Sequence, residues 1–586
     1  MKNLSKYAVE FYDKKLNENA KNIANWDNKK YGYKKTLDYR NLWIDAPMAR
    51  PLKEFKRSGV IYQVLIYNFA DGNNDGIGDL IGLKNKLDYF VNLGVDTLLL
   101  SPIHPATSYH GYSVLNYCDV AEQLGGMKAF IEFLSSAHDS GIKVYIDLVF
   151  NHTSYEHPWF QEALFDNKKF EEYYEFDRDP SDKDLRVDSE SHRRRYPNLD
   201  TPLGGTNKKY IGRFWAGMPD LNLDNPDVIE QLCEIQKFWT KIGVDGFRYD
   251  AFSEFFSSES ETKNNFNEAK IFRMLREASN SITEKYNMNE VFMIGEWLAD
   301  HRKAMEYLTY KNKTSLNTIY DGGEHFKDHV DTRVDYKKLL DICEMYQKTS
   351  KDSVWVPFLE NHDTNRWLDV YRREVSKISA DSEEYFTNLT SDEKDAQRIA
   401  LLQLLMLPAK PIIYYADELC YYSTRIFDDP GLREPLNWIN ENENCAIVEK
   451  KIDASHANVF LNISSTIGKV ENVINEEDSI YKMISLMNEI RQNNTYLKKT
   501  DPNTIHDPFD FVDADDYSSV IVRSENKNSN EFLLFAFNNH LNTNKRMGKI
   551  SRKYHFKTLY SFKVEDHSWG VNLPKNSCVL YKLTRK

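Results

Sequence analysis

Short apolar runs recur along the chain at about the length of a barrel stave, separated by amphipathic or polar stretches. Residues 61–67, 95–100 and 141–150 form the first three, and apolar spacing over residues 80–93 predicts a helix between the first two. Residues 232–242 are likewise helical and lead into the apolar run at residues 243–249. Further staves are predicted at residues 293–296, 316–320, 354–359 and 411–418, with a closing helix over residues 479–493. From about Pro502 the pattern changes to short alternating strands at residues 518–523, 531–537 and 577–582, which reads as a small antiparallel sandwich. Residues 1–55 are charged, rich in Asn and Lys and dotted with aromatics, and are read as helical segments packed on the main body.

Four of the runs end in chemistry. Gly243-Val-Asp-Gly-Phe-Arg248-Tyr-Asp250 presents an arginine and a carboxylate two positions apart, which on a strand places both on one face. Such an octapeptide taken alone is an ordinary surface turn. Asp147-Leu-Val-Phe-Asn151-His152, Met293-Ile-Gly-Glu296-Trp297 and Phe358-Leu-Glu-Asn-His362-Asp363 repeat the arrangement, each with a carboxylate at or just beyond an apolar run. A charged group at the C-terminal end of a short apolar strand is where an α/β barrel keeps its chemistry.

A second pattern follows the first stave. In Asp71-Gly-Asn73-Asn-Asp75-Gly-Ile77-Gly-Asp79, oxygen-bearing side chains alternate with glycines, so the loop can curl them around one hard cation. Gly82 holds the place of the closing Glu of an EF-hand, and a strand precedes the loop in place of a helix. The competing reading is an Asx-turn loop capped by its own side chains.

Composition narrows the field. A length of 586 residues predicts two or three domains with a large core. A net charge of -13 argues against nucleic acid or an anionic membrane surface as the main partner, and a neutral substrate fits better. Cys118, Cys233, Cys343, Cys420, Cys445 and Cys578 show no paired spacing, which fits reduced thiols in a cytoplasmic protein. The first residues read as no signal peptide, and no window reaches transmembrane length.

Motif, spacing and order together resemble the four sequence regions of the α-amylase family, glycoside hydrolase family 13, over about Ile61 to Leu497. The resemblance implies an α/β fold: a (β/α)8 TIM barrel over residues 56–152 and 225–497, an inserted domain B at 153–224 and a C-terminal antiparallel β-sandwich at 498–586. Residues 1–55 fall outside it. It implies Asp250 as nucleophile, Glu296 as acid/base and Asp363 as the group that grips and distorts the sugar. Tyr112 would stack on that sugar, with His110 beside it, and His152 and His362 would hydrogen-bond to it; Asp147 and Asn151 would be structural. Arg248 is expected to hold Asp250 ionised, while apolar Trp297 and nearby carboxylates raise Glu296. The loop after the first stave would bind structural Ca2+, or Mg2+, through Asp71, Asn73, Asp75 and Asp79 and the carbonyl of Ile77.

The resemblance has departures. Ala251-Phe-Ser-Glu254 stands where many α-amylases carry a Lys-His pair, and Ala409-Lys410 where a Gly-Thr is usual. Met218-Pro219 is similar to neopullulanase-like and intermediate members, and Trp297 to glucanotransferases. The reading is therefore a retaining hydrolase of maltooligosaccharides or related α-glucans. The alternatives are a glycosyl-transferring member resembling amylosucrases, glucanotransferases or trehalose synthases, and a binding scaffold without activity. Linkage, chain length and oligomeric state stay open.

Overall fold

The computed structural model describes residues 32–165, 167–177, 193–195, 209–214, 217–256, 263–297, 301–321, 336–380, 382–386, 389–423, 429–445, 467–507, 518–540, 542–565 and 570–586. Its centre is a (β/α)8 barrel. Six parallel staves run in chain order: Ile61–Val64, Thr97–Leu100, Lys143–Leu148, Gly246–Tyr249, Phe292–Trp297 and Thr318–Asp321. The eighth, Ile412–Tyr414, pairs with the first. The seventh closes the gap between sixth and eighth: Val354 N–H donates to the Asn317 carbonyl (3.2 Å), while Lys410 and Ile412 N–H groups donate to Trp355 and Pro357 carbonyls (both 2.9 Å). It forms one isolated bridge, Phe358 to Ile412, in place of a ladder. Pro357 has no N–H to give to a ladder, so the predicted stave at residues 354–359 is irregular.

Side-chain parity builds the interior. Ile61, Leu99, Tyr145, Ile294, Tyr320, Val354, Val356, Phe358 and Ile412 point inward and pack on one another, while Tyr62, Leu98, Val144, Phe247, Met293 and Ile319 point out to the helical layer. Gly246 occupies an inward position because a Cβ there would stand 2.5 Å from the Tyr145 ring and 2.6 Å from the Phe292 carbonyl.

Several elements differ in extent from the sequence pattern. The first run stops at Val64 and turns into a short helix, Ile66–Phe69, because the Ser101 hydroxyl takes the Ile66 N–H at 3.2 Å. Residues 80–93 form two helices, Leu80–Asn85 and Leu87–Leu93, divided at Lys86, whose ammonium pairs with Glu443 (2.7 Å) and lies over the Trp438 ring. The helix ahead of the fourth stave starts earlier than residue 232, at Pro226. Asn225 caps it, proline holds its first position, and Gly243 ends it at φ 117°.

Residues 178–192 and 196–208 lie outside the described residues, so the polar stretches there are not placed. Around them, Phe176–Asp177, Arg193–Arg195 and Lys209–Ile211 make a three-stranded antiparallel sheet between the third and fourth staves. The C-terminal part is a five-stranded antiparallel sheet with a two-stranded partner, Lys545–Lys549 and Gly570–Leu573. Alternation splits its residues: Ile521, Leu533, Phe535 and Phe537 join the barrel core, while Val520, Val522, Leu534 and Ala536 form a second core.

Of residues 1–55, the described part is largely extended, with a single 3-10 turn at Leu42–Asp45 where helices were expected. It lies along the barrel through bonds to its neighbours: Tyr39 N–H to Gln231 (2.7 Å), Trp43 to Glu234 (3.0 Å) and Ala49 N–H to the Ile242 carbonyl (2.8 Å). Backbone groups satisfied by the barrel leave no need for helical bonds within the segment. No helix among the described residues is long and apolar enough to cross a membrane.

Candidate active site

The parity that fills the barrel also builds the site. Two residues beyond the inward apolar layer, the same faces carry Gln63, Asp147, Arg248 and Glu296. Asp250 follows on the fourth stave, its N–H bound to the Leu148 carbonyl at 3.0 Å. Ala251 then turns the chain through φ 47°, and its N–H reaches Glu296 Oε2 at 2.7 Å. A non-glycine residue in that conformation costs about 1 kcal/mol or more, and here it supplies a bond to a candidate catalytic carboxylate.

Arg248 is fully buried and divides one guanidinium among three carboxylates. Nη1 donates to Asp147 (2.6 Å) and Asp250 (2.9 Å), and Nη2 to Glu296 (2.5 Å). Burial pushes Asp250 and Glu296 each up to about 7 and Asp147 up to about 6, with Arg248 pulling all three back down. This corrects one expectation: Arg248 does not single out Asp250 as the ionised member, because it serves Glu296 as well. The expected rise of Glu296 is present and comes from burial, with Asp250 and Asp363 adding to it, while the Trp297 ring packs on Phe252 (5.5 Å) and Tyr307 (5.7 Å). Asp147, expected to be structural, is in the cluster itself.

Tyr112 and His362 hold their rings parallel, centres 5.5 Å apart, and Tyr112 Oη meets His362 Nε2 at 2.6 Å and Asp147 at 3.1 Å. Gln63 holds the other ring nitrogen of His362 at 3.2 Å and accepts from Tyr320 at 2.5 Å. Asp363 faces His362 (3.0 Å) and Arg433 (3.1 Å). Burial alone pushes its carboxyl up, but His362, Arg433 and Arg248 outweigh that and hold it well below the usual range. Its side chain stays 31% exposed against 11% for Asp250 and for Glu296, so of the three it opens widest to the cleft.

His152 and His110 flank this cluster. His152 Nε2 lies 3.2 Å from the Tyr112 carbonyl, and its ring packs against Phe214, which is 48% exposed. His110 Nδ1 accepts the Tyr112 N–H at 3.2 Å, and the two rings sit 5.7 Å apart. Burial pushes His110 down to about 3 and His152 to about 4, so both are neutral near pH 7. Gln63, Tyr320, Arg433 and Phe214 were not singled out in the sequence. The signal for Gln63 was a polar residue at an inward position of an apolar stave; Arg433 lies in the loop after the eighth stave, away from any apolar run.

In the loop after the first stave, Asp71 Oδ1 accepts from Asn73 (3.0 Å) and Asn74 (2.6 Å) and Oδ2 from Gly76 (2.6 Å); Asn73 accepts from Asp75 (2.9 Å), and Asp75 from Ile77 (2.8 Å). These are Asx-turn bonds. Among the described residues no three His, Cys, Asp or Glu side chains converge at metal-holding distance. Asp79 Oδ1 caps the helix Leu80–Asn85 through Gly82 N–H at 2.7 Å, whereas its Oδ2 is buried without a hydrogen bond. Burial, with Asp71 and Asp75 adding to it, pushes Asp79 up to about 6. Hard oxygens with one orphaned carboxylate oxygen suit a divalent cation of the calcium or magnesium type.

Residues 63–500 match the profile described as alpha amylase, catalytic domain. Over 393 residues the chain is 31% identical to an α-amylase of Dictyoglomus thermophilum, covering 66% of this chain and 68% of that protein. Over 363 residues it is 31% identical to a 4-α-glucanotransferase of Thermotoga neapolitana, covering 61% and 71%. Among solved structures, Amy13B of Eubacterium rectale superposes with a TM-score of 0.66 at 22% identity, over 94% of this chain and 99% of that one, a likeness of fold.

Proposed function

The chain belongs to the α-amylase family, glycoside hydrolase family 13, and from that we propose a retaining hydrolase of α-glucosidic bonds in maltooligosaccharides or related α-glucans, working through a glycosyl-enzyme intermediate. The observation that carries the reading is the single guanidinium bridging Asp250 and Glu296. Neighbouring nitrogens of one group favour the short carboxyl spacing of a retaining site, about 5 Å, over the roughly 6.5–9.5 Å that leaves room for an inverting water.

Three buried carboxylates share one arginine, so the cluster retains a proton near neutral pH. In the first step an Asp250 oxygen attacks the anomeric carbon as the glycosidic bond breaks, and Glu296 gives its proton to the leaving oxygen. In the second, Glu296 takes the proton of a water whose oxygen attacks the same carbon, releasing Asp250. Asp363, kept ionised beside His362 and Arg433, grips and distorts the sugar, and Tyr112 presents its ring to the sugar face.

A glycosyl-transferring reading, of the amylosucrase, glucanotransferase or trehalose synthase kind, has one observation in its favour. Phe214 exposes an apolar ring beside His152, where an acceptor sugar can displace water. A product time course on maltoheptaose, pullulan, sucrose and trehalose, with and without glucose as acceptor, tests both. Short products alone support hydrolysis; chains longer than the substrate, or rearranged disaccharide, overturn it in favour of transfer.

The proposal includes a structural Ca2+ or Mg2+ held by Asp71, Asn73, Asp75, Asp79 and the Ile77 carbonyl, on the strength of the orphaned Asp79 oxygen. It also places the protein in the cytoplasm, which six unpaired cysteines support.

A further inference from the structure

The family profile begins at residue 63, yet residues 33–39 reach both loops that carry the flanking sugar contacts. One loop holds Tyr112 and continues to Asn116 and Tyr117; the other holds His152 and continues to Glu156, His157 and Trp159. Each is bonded from behind to the same short segment. Asn116 donates to the Lys34 carbonyl (2.9 Å), Tyr33 to the Glu156 carbonyl (3.3 Å) and the Trp159 indole to the Leu37 carbonyl (2.9 Å).

Tyr39 joins the two loops. It is fully buried, edge-on to Tyr117 and Trp159, and its hydroxyl accepts the Tyr117 N–H at 3.2 Å. The same oxygen lies 3.3 Å from His157 Nε2. Because His157 Nδ1 accepts the Trp159 N–H (3.1 Å), Nε2 carries the ring hydrogen and donates to Tyr39. Tyr117 in turn spans to the end of the third stave, its hydroxyl 2.9 Å from the carbonyls of both Val149 and His152. A continuous run of bonds thus leads from Tyr39 through Tyr117 to the backbone of His152.

We propose that residues 33–39 are a buttress of the substrate subsite, with Tyr39 as a positioning residue that fixes Tyr112 and His152 relative to each other. The inference rests on the sugar-binding reading of those two residues. Replacing the Tyr39 hydroxyl leaves the Tyr117 N–H and the His157 Nε2–H buried without a partner, which frees both loops to shift. Of the two positioned residues, Tyr112 touches the carboxylate cluster, through its hydroxyl on Asp147 at 3.1 Å.

The test is Tyr39→Phe in the full chain, assayed well below its melting temperature against Trp43→Phe, which removes the indole bond to Glu234 away from both loops. Tyr39→Phe is expected to lower kcat/KM about tenfold, most of it through a higher KM, because it misplaces groups that bind the sugar. Trp43→Phe is expected to change melting temperature alone. If Tyr39→Phe does not fold, Tyr33→Phe, which removes the more exposed bond to Glu156, replaces it with the same expectation in smaller measure. The buttress is overturned if the Tyr variants lower melting temperature at constant kcat/KM, or if Trp43→Phe changes kcat/KM equally. Inactivity of the unmodified protein on every α-glucan would instead overturn the reading beneath it.

Discussion

Asp147 and Arg248 are register partners on the third and fourth staves, joined by a 2.6 Å bond, and that bond puts a third carboxylate against the arginine shared by Asp250 and Glu296. Asp147 raises Asp250 by repulsion and competes with it for Nη1. Asp147→Asn removes the repulsion and lowers the pH at which Asp250 ionises. The acid limb of the kcat/KM profile is therefore expected to move to lower pH, by about one unit for a charge this close. A limb that stays in place, or moves up, would remove Asp147 from the electrostatics of the site.

Asp250→Asn and Glu296→Gln are each expected to cut kcat by about 10²-fold or more while leaving the melting temperature near that of the native chain. Each amide keeps the shape of the carboxylate and an oxygen for Arg248; Glu296→Gln also turns its amide nitrogen toward the Ala251 N–H, so of the two it is expected to lose the little stability that is lost. Turnover by Asp250→Asn close to the native rate would sink its assignment as nucleophile. With an activated substrate that needs no acid, Glu296→Gln is expected to recover more of its first step than Asp250→Asn.

The sequence made the carboxylates legible because strand ends leave a readable sign, an apolar run followed by Asp or Glu. Parity then carried Arg248 and Asp250 onto one face without any tertiary information. The partners of those groups left no such sign. Gln63 reaches His362 across 299 positions of sequence, and Arg433 reaches Asp363 across 70, so both bonds exist only through barrel closure. The seventh stave was legible as an apolar run, but its single bridge follows from Pro357. Expecting Arg248 to favour one carboxylate failed for a geometric reason: a planar guanidinium with several donors bridges as readily as it chelates.

His138 predicts a pH dependence of stability apart from the site. Its Nδ1 lies 2.6 Å from the Arg50 carbonyl and its Nε2 2.9 Å from Asp245, and both partners only accept, so the ring is cationic when both bonds are made. Burial lowers its pKa, but Asp245 and the Arg50 carbonyl outweigh that, and the folded value lies above the ordinary one of 6.5. A raised pKa adds stability that is complete below the unfolded value and is lost as pH rises through the folded one. Melting temperature is therefore expected to fall as pH is raised from 6.5 toward the folded value, and His138→Gln to fall less over the same range. Parallel curves for the two proteins would contradict this.

The loop at residues 71–79 can be tested through the one oxygen its own bonds leave out. Asp79 does two separate jobs: Oδ1 caps the helix Leu80–Asn85, and Oδ2 is buried with no hydrogen bond. Asn caps a helix about as well as Asp, so Asp79→Asn keeps the first job and removes the charge that serves the second. In calcium at about a hundred times its dissociation constant, binding to the folded state alone adds about 2.7 kcal/mol, which the native chain is expected to show as a higher melting temperature, reversed by chelator. Asp79→Asn is expected to lose that calcium response. In chelator, however, the variant is expected to be at least as stable as the native chain, since it no longer buries a negative charge beside Asp71 and Asp75 with one oxygen lacking a donor. That crossing of the two proteins separates a cation site from a loop held by Asx turns alone. A loop that needs only its turns would give the same melting temperature with and without calcium, in both proteins.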